Sequence, residues 1–206
     1  MQDRQPALFI ADSLGLDFLN SVATPVDTPV DWLATGDGLV AWLAQAGLVP
    51  ASALRALAAQ APPGELDRIA EEARALREWF RAFVRRHMGR PLAPEAVAEL
   101  APLNAILARD EKFSQIAARP DSGARLELAT MRRWRSAESL LLPIAEALAR
   151  CVRDEDFANI RACEGRRCTL VFADHTRRRA RRWCSMAMCG NRAKQAAHRD
   201  RLKSRR

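Results

Sequence analysis

Apolar residues recur along most of this chain at intervals of three and four, the spacing of amphipathic helices. The longest such run is residues 65–88. Leu66, Ile69, Ala73, Leu76, Phe80, Phe83 and Val84 form its stripe, Gly89 ends it, and its arginines and glutamates read as a solvated face. Shorter runs surround it. Residues 12–23 fit one helix ended by Pro25, with Leu14, Phe18 and Leu19 inward and Asp17 and Asn20 on the adjoining stripe. Residues 24–38 are rich in turn formers, residues 39–46 predict a helix closed by Gly47, and Pro50 opens an alanine-rich helix that stops before Pro62. Pro94 stands where a first-turn proline belongs, and Val97, Leu100, Leu103 and Leu107 continue that helix.

The period then shortens to two. Residues 113–116 and 125–128 alternate around a turn signal at 119–123, which predicts one β-hairpin. Ser136 caps a further helix with Leu140, Leu141, Ile144, Leu148 and Val152 on its buried stripe and a kink at Pro143; Asp154 can start a last short one. A buried Asp or Asn must be hydrogen-bonded, so Asp17 and Asn20 read either as contacts to a bound ligand or as braces for a neighbouring loop.

Beyond residue 158 the texture changes. Cys163 and Cys168 form one pair with four residues between them, Cys184 and Cys189 a second pair of the same spacing, and fifteen residues separate the pairs. Two short-spaced thiol pairs a hairpin's length apart are the pattern of a structural zinc site. Between them, residues 169–173 are β-like, residues 174–176 form a turn, and residues 181–183 bring the chain back to the second pair. Gly190 is expected to allow close approach to the metal, and residues 191–203 suit a helix. Knuckle, hairpin and helix are the parts of a treble clef. With four thiolates as ligands no coordination position stays open, so one Zn2+ is expected in a structural role. Metal loss is expected to unfold this module and to leave the helical body folded. Cys151 reads as a buried helix cysteine.

The run from Cys184 through Ser185, Met186, Cys189, Gly190, Asn191, Arg192 and Lys194, with Phe172, Asp174, Arg181, Arg182 and Trp183 before it, closely resembles the CGNR-type zinc finger. That family typically carries an N-terminal ABATE domain, and Leu14, Asp17, Phe18, Asn20 and Ser21 resemble the opening of that domain. The resemblance implies a stress-induced transcription regulator. The expected fold is α+β and mainly α: a helical body with one hairpin over residues 1–157, then a four-cysteine treble-clef finger over residues 158–206. No linker between them is long enough for free movement, so the finger is expected to pack on the body.

Charge sharpens this reading. Residues 160–206 hold thirteen arginines, two lysines and three acidic residues, a net +12, against −4 for the rest of the chain. A basic tail on a near-neutral body points to a polyanion, hence DNA. Arg177, Arg178, Arg179, Arg181 and Arg182 are expected to reach phosphates, and Asn191, Arg192, Lys194, Gln195 and Arg199 to line a recognition helix. The body is then the place to sense a small-molecule effector or protein partner, with Asp17 and Asn20 as candidate ligand contacts. The alternative is an adaptor whose finger binds protein or RNA.

Other classes fit poorly. The N-terminal residues lack the basic flank and apolar run of a secretion signal. The most apolar stretch, residues 140–149, is too short for a bilayer, so a cytoplasmic protein without a membrane partner is expected. A nuclease built on Asp174, His175, Asn191 and His198 is disfavoured by Gly190, because HNH-type nucleases tend to place a metal-binding histidine directly after the last cysteine. Gly-rich phosphate loops and HExxH are absent, and no enzyme is expected.

Overall fold

The computed structural model describes residues 6–24, 28–118 and 125–203. Its first half contains α1 (Leu14–Leu19), the short strands β1 (Val22–Ala23) and β2 (Val30–Asp31), α2 (Gly36–Gln45), α3 (Ala51–Gln60) and α4 (Glu65–His87). A 3-10 turn (Pro94–Leu100) leads into α5 (Ala101–Leu107), then the hairpin β3 (Lys112–Ala118) and β4 (Leu126–Arg132). A second 3-10 turn (Ala137–Leu140) precedes α6 (Leu141–Asp154), and a third (Phe157–Asn159) precedes β5 (Ile160–Ala162). The chain ends with β6 (Val171–Ala173), a π-helical turn (Met186–Gly190) and α7 (Asn191–Lys203).

The core collects around α1, α4 and α6. Ile69, Ala73, Phe80 and Val84 of α4, Ile144 and Leu148 of α6, and Leu16, Phe18 and Leu19 of α1 are buried, as the three-and-four spacing predicts. Leu14 departs from that expectation and is exposed, because α1 turns Leu16 inward instead. The helix also stops at Leu19, and Val22 and Ala23 pair with Asp31 and Val30. Pro25 therefore lies beyond the helix and among the residues not described. Proline 143 falls in the first turn of α6, where it needs no hydrogen-bond partner, so it marks the junction with the 3-10 turn rather than a mid-helix kink. Val97 is exposed because its segment is 3-10 and not α-helical.

Two arginines of α4 overturn the reading of a wholly solvated polar face. Arg77 and Arg81 are buried. Arg77 makes a two-pronged pair with Asp31 at 2.8 Å on each prong and donates to the Ser21 hydroxyl at 3.1 Å; Arg81 donates to the Leu19 carbonyl at the end of α1. Arg74 donates to the Leu33 carbonyl at 2.8 Å. The polar face of α4 thus ties down the irregular segment that follows α1.

The hairpin is longer than its sequence signal. Seven pairs run from Lys112 opposite Arg132 to Ala118 opposite Leu126, and the predicted turn at 119–123 lies outside the described residues. Arg132 anchors its base to Asp110 at 2.7 Å and Glu146 at 2.7 Å, while Ile116, Leu126 and Leu128 stay largely exposed on one face.

The finger is built into the body. Leu170, Val171, Phe172 and Ala173 belong to the same buried cluster as Leu16, Phe18 and Phe157. That continuity couples the packing of the finger to that of the body.

Candidate metal centre and nucleic-acid interface

Strand β5 pairs antiparallel with β6, Ile160 opposite Ala173 and Ala162 opposite Val171, and the first cysteine pair closes the hairpin between them. The partner of the β-like run therefore precedes Cys163 instead of following the turn. At the tip Gly165 is indispensable: a Cβ there would lie 2.7 Å from Cys189 Sγ and 3.2 Å from Cys168 Cβ. It is Gly165 that gives the close approach to the metal centre expected of Gly190. A Cβ on Gly190 would instead meet Met186 Sδ at 2.6 Å. Cys189 sits in the π-helical turn, where the Cys189 and Gly190 amides both donate to the Ser185 carbonyl, at 3.0 and 3.1 Å. That turn runs directly into α7.

The four sulfurs of Cys163, Cys168, Cys184 and Cys189 lie within 4.8 Å of one another. Cys168 Sγ is 3.9 Å and Cys189 Sγ 3.6 Å from Cys184 Sγ. Zinc–sulfur bonds of about 2.3 Å in a tetrahedron set neighbouring sulfurs about 3.8 Å apart, so the donor set fits one zinc ion with no position left over. A Zn2+ with four thiolates carries two net negative charges, and the surroundings answer them with N–H donors. The Cys184 and Gly165 amides donate to Cys163 Sγ at 3.2 and 3.4 Å, and the Arg192 guanidinium donates to Cys189 Sγ at 3.4 Å. Within the cluster, the hydrogen bond from Cys184 holds the Cys168 thiol down to about 5, while that same contact, together with burial, pushes Cys184 up. Cys151 stands apart, buried between α6 and Gly15, and burial pushes its thiol up to about 12.

The arginines expected to meet DNA divide into distinct groups. Arg177 and Arg178 are exposed and engage no acidic group among the described residues. Their turn is organised by Asp174, which is fully buried and accepts from the Thr176 amide at 3.0 Å, the Thr176 hydroxyl at 2.6 Å and the Arg181 amide at 2.9 Å. Burial opposes the charge of Asp174, but these hydrogen bonds outweigh it and keep its carboxyl below the usual range. Arg179 is exposed yet donates to the Asp174 carbonyl, and His175 reaches Glu155 at 2.7 Å. Arg182 pairs with Glu164 at 2.6 Å on the surface.

Arg181 does not join them. Its guanidinium turns inward over the Phe172 ring, 4.1 Å from the centroid, and donates to the Ile10 carbonyl at 2.8 Å, to the Cys184 carbonyl and to Asp12. Every direction it has is taken by the fold, so its place is at the seam of finger and body. Arg192 is half-buried, with Nε donating to the Met188 carbonyl at 2.6 Å beside its contact with Cys189. The five residues expected to line a recognition helix divide accordingly. Asn191, Lys194 and Gln195 are on the open face, while Arg192 and Arg199 line a cleft against the knuckle with Arg166 and Arg167. The last two were missed in the sequence, where nothing in a Glu-Gly-Arg-Arg run distinguishes them from a solvated turn.

Asp17 and Asn20 brace neighbouring backbone. Asp17 Oδ1 accepts from the Ile10 and Ala11 amides, each at 2.9 Å, holding an N-terminal strap whose Ala11 carbonyl accepts from the Ala173 amide of β6. Asn20 donates to the Val171 carbonyl at 2.8 Å and accepts from the Val171 amide at 3.0 Å. Neither lines the surface clefts at the hairpin base, at the start of α2, or beside α7.

Fold and site together define a mainly helical protein with a four-cysteine zinc finger fused to its core. The chain belongs to the ABATE family, described as "putative stress-induced transcription regulator", whose model matches residues 12–155. The CGNR zinc finger model matches residues 159–202. Neither description is that of an enzyme. No curated protein matches the chain. None of its helices is long and apolar enough to cross a membrane among the described residues.

Proposed function

We propose that this protein is a DNA-binding transcription regulator whose treble-clef finger, held by one structural zinc ion, meets the duplex through the 175–182 turn and the open face of α7. The observation that carries this reading is the set of Arg177, Arg178 and Lys194, exposed around the metal centre and with no acidic partner among the described residues. Unpaired cations around a rigid metal centre are available to neutralise phosphates, and Asn191 and Gln195 are the groups there that can read adenine edges.

Selection of bound sequences from a random duplex pool, followed by salt-titrated binding, tests it. A preferred sequence should emerge. Arg178→Ala should weaken all sequences alike and lower the salt slope by about one, whereas Arg181→Ala should act on stability and zinc retention. Binding that is independent of sequence and unaffected by Arg177→Ala and Arg178→Ala together would refute it. A protein partner for the body is favoured over a small-molecule effector, because Asp17 and Asn20 are internally satisfied while Ile116, Leu126 and Leu128 present an apolar hairpin face to solvent. The same hairpin supports the adaptor reading if the finger fails to bind DNA.

A further inference from the structure

Among the described residues of the finger, the exposed large apolar side chains are Met186 and Leu202, and Leu202 stands at the far end of α7. Met186 opens the π-helical turn at the near end and is 46% exposed. It is nonetheless held in place. Its Sδ and Cε lie 2.6 and 2.8 Å from where a Cβ on Gly190 would stand, so the side chain lies flat across that buried glycine. The Trp183 ring comes within 3.5 Å of the same point. The turn beneath is stiffened by the Cys189 and Gly190 amides on the Ser185 carbonyl and by the Met188 amide on the Ser185 hydroxyl. Scattered surface apolar residues are ordinary, but a methionine seated over a glycine has lost the freedom of a solvated side chain. Its neighbours are polar and cationic. Steps of four along the turn and α7 lead from Met186 over Gly190 to Lys194, with Asn191 and Gln195 alongside, and the Arg182 guanidinium lies 5.0 Å from the centroid of the Trp183 ring.

Resting on the DNA-binding reading above, we propose that Met186 is a specificity-determining residue that reads the C5 methyl group of a thymine in the major groove. An apolar knob among cations and amides matches an apolar spot on a polyanion. The thymine methyl is the apolar group on the major-groove edges of the base pairs, and hydrogen-bonding side chains do not detect it. Met186 thus supplies what Asn191 and Gln195 on the same face lack, since amides recognise a base edge by its donors and acceptors. Because Gly190 and Trp183 already fix the thioether, little side-chain freedom is lost on contact. Burial of one hydrocarbon group then gives roughly a fourfold preference for thymine over its demethylated analogue.

The test uses the full-length, zinc-loaded protein and the duplex it prefers in selection, with zinc content measured for each variant. Each thymine is replaced in turn by 2′-deoxyuridine, which keeps the base pair and removes the methyl. The wild-type protein should lose affinity roughly fourfold at the contacted position. Met186→Ala should no longer distinguish the two duplexes, and Met186→Leu should keep the discrimination. Met186→Gln still covers Gly190, so it preserves the turn if alanine costs metal, and as a polar side chain it should lose the discrimination. A role confined to packing would weaken both duplexes alike, so the ratio of the two affinities is the deciding quantity. A wild type indifferent to every thymine methyl, a selected sequence without thymine, or discrimination that persists in both Met186→Ala and Met186→Gln would overturn the assignment and leave DNA binding intact. Failure of the wild-type protein to bind duplex DNA at low salt would overturn both readings.

Discussion

Replacing Asn20 by alanine should destabilise the whole protein without touching any ligand. The Asn20 side chain satisfies both the amide and the carbonyl of Val171 in a buried setting, across 151 residues of chain. Alanine leaves two backbone groups of β6 without partners. Each such buried orphan costs about 1–3 kcal/mol, and small shifts recover part of it, so a net loss of about 3 kcal/mol is expected. Against a typical domain stability of about 5–15 kcal/mol this is a large share. With a urea m-value of about 2 kcal/mol/M, the unfolding midpoint should fall by roughly 1.5 M. Asn20→Asp provides the control. It keeps the acceptor for the Val171 amide but points a second oxygen at the Val171 carbonyl, burying an ionised group with a raised pKa. Its deficit at pH 7 should exceed that of alanine, and should shrink on acidification as the protonated carboxyl regains a donor. Urea titration followed by circular dichroism, at constant zinc loading, reads all three proteins. A loss below about 0.5 kcal/mol for Asn20→Ala would refute the bracing role.

Asp17 supplies a pH test. Burial raises its carboxyl from 3.8 to about 6, so the ionised form costs folding free energy that is absent below pH 4 and complete above about pH 6. Asp17→Asn keeps an acceptor for the Ile10 and Ala11 amides and should be more stable than wild type at pH 7.5 by about 1–3 kcal/mol, the gap closing toward pH 4; a gap that does not vary with pH refutes the assignment. Gly165→Ala should lower zinc affinity at least tenfold, because the added methyl would stand 2.7 Å from Cys189 Sγ; metal retention in a chelator competition measures it, and unchanged retention would show that the knuckle can shift. Cys168→Ser should abolish the one-to-one zinc content, while Cys151→Ala should leave it unchanged.

The long helices were legible because their burial follows the helical period, and the zinc ligands because thiol spacing is set by the geometry of one ion. What stayed hidden depends on pairs far apart in the chain. Arg77 reads as a surface residue until Asp31 is seen beside it, 46 positions away. The bracing by Asp17 and Asn20 is invisible while the strap and β6 are out of view. Among the arginines of 177–182, nothing in the sequence says that Arg181 turns inward, since that choice is made by the carbonyls of Ile10 and Cys184. Strand β5 was missed because three residues with one buried side chain carry too little period to register.

The seating of β6 in the core has a consequence for synthesis. When a ribosome has delivered the first 158 residues, Asn20 has no Val171 to hold and the pocket that Phe172 fills is empty. The nascent helical body therefore waits with an open seam until its last segment emerges and finds a metal ion. Zinc supply and thiol oxidation should then act on the yield of the entire protein and not on the finger alone.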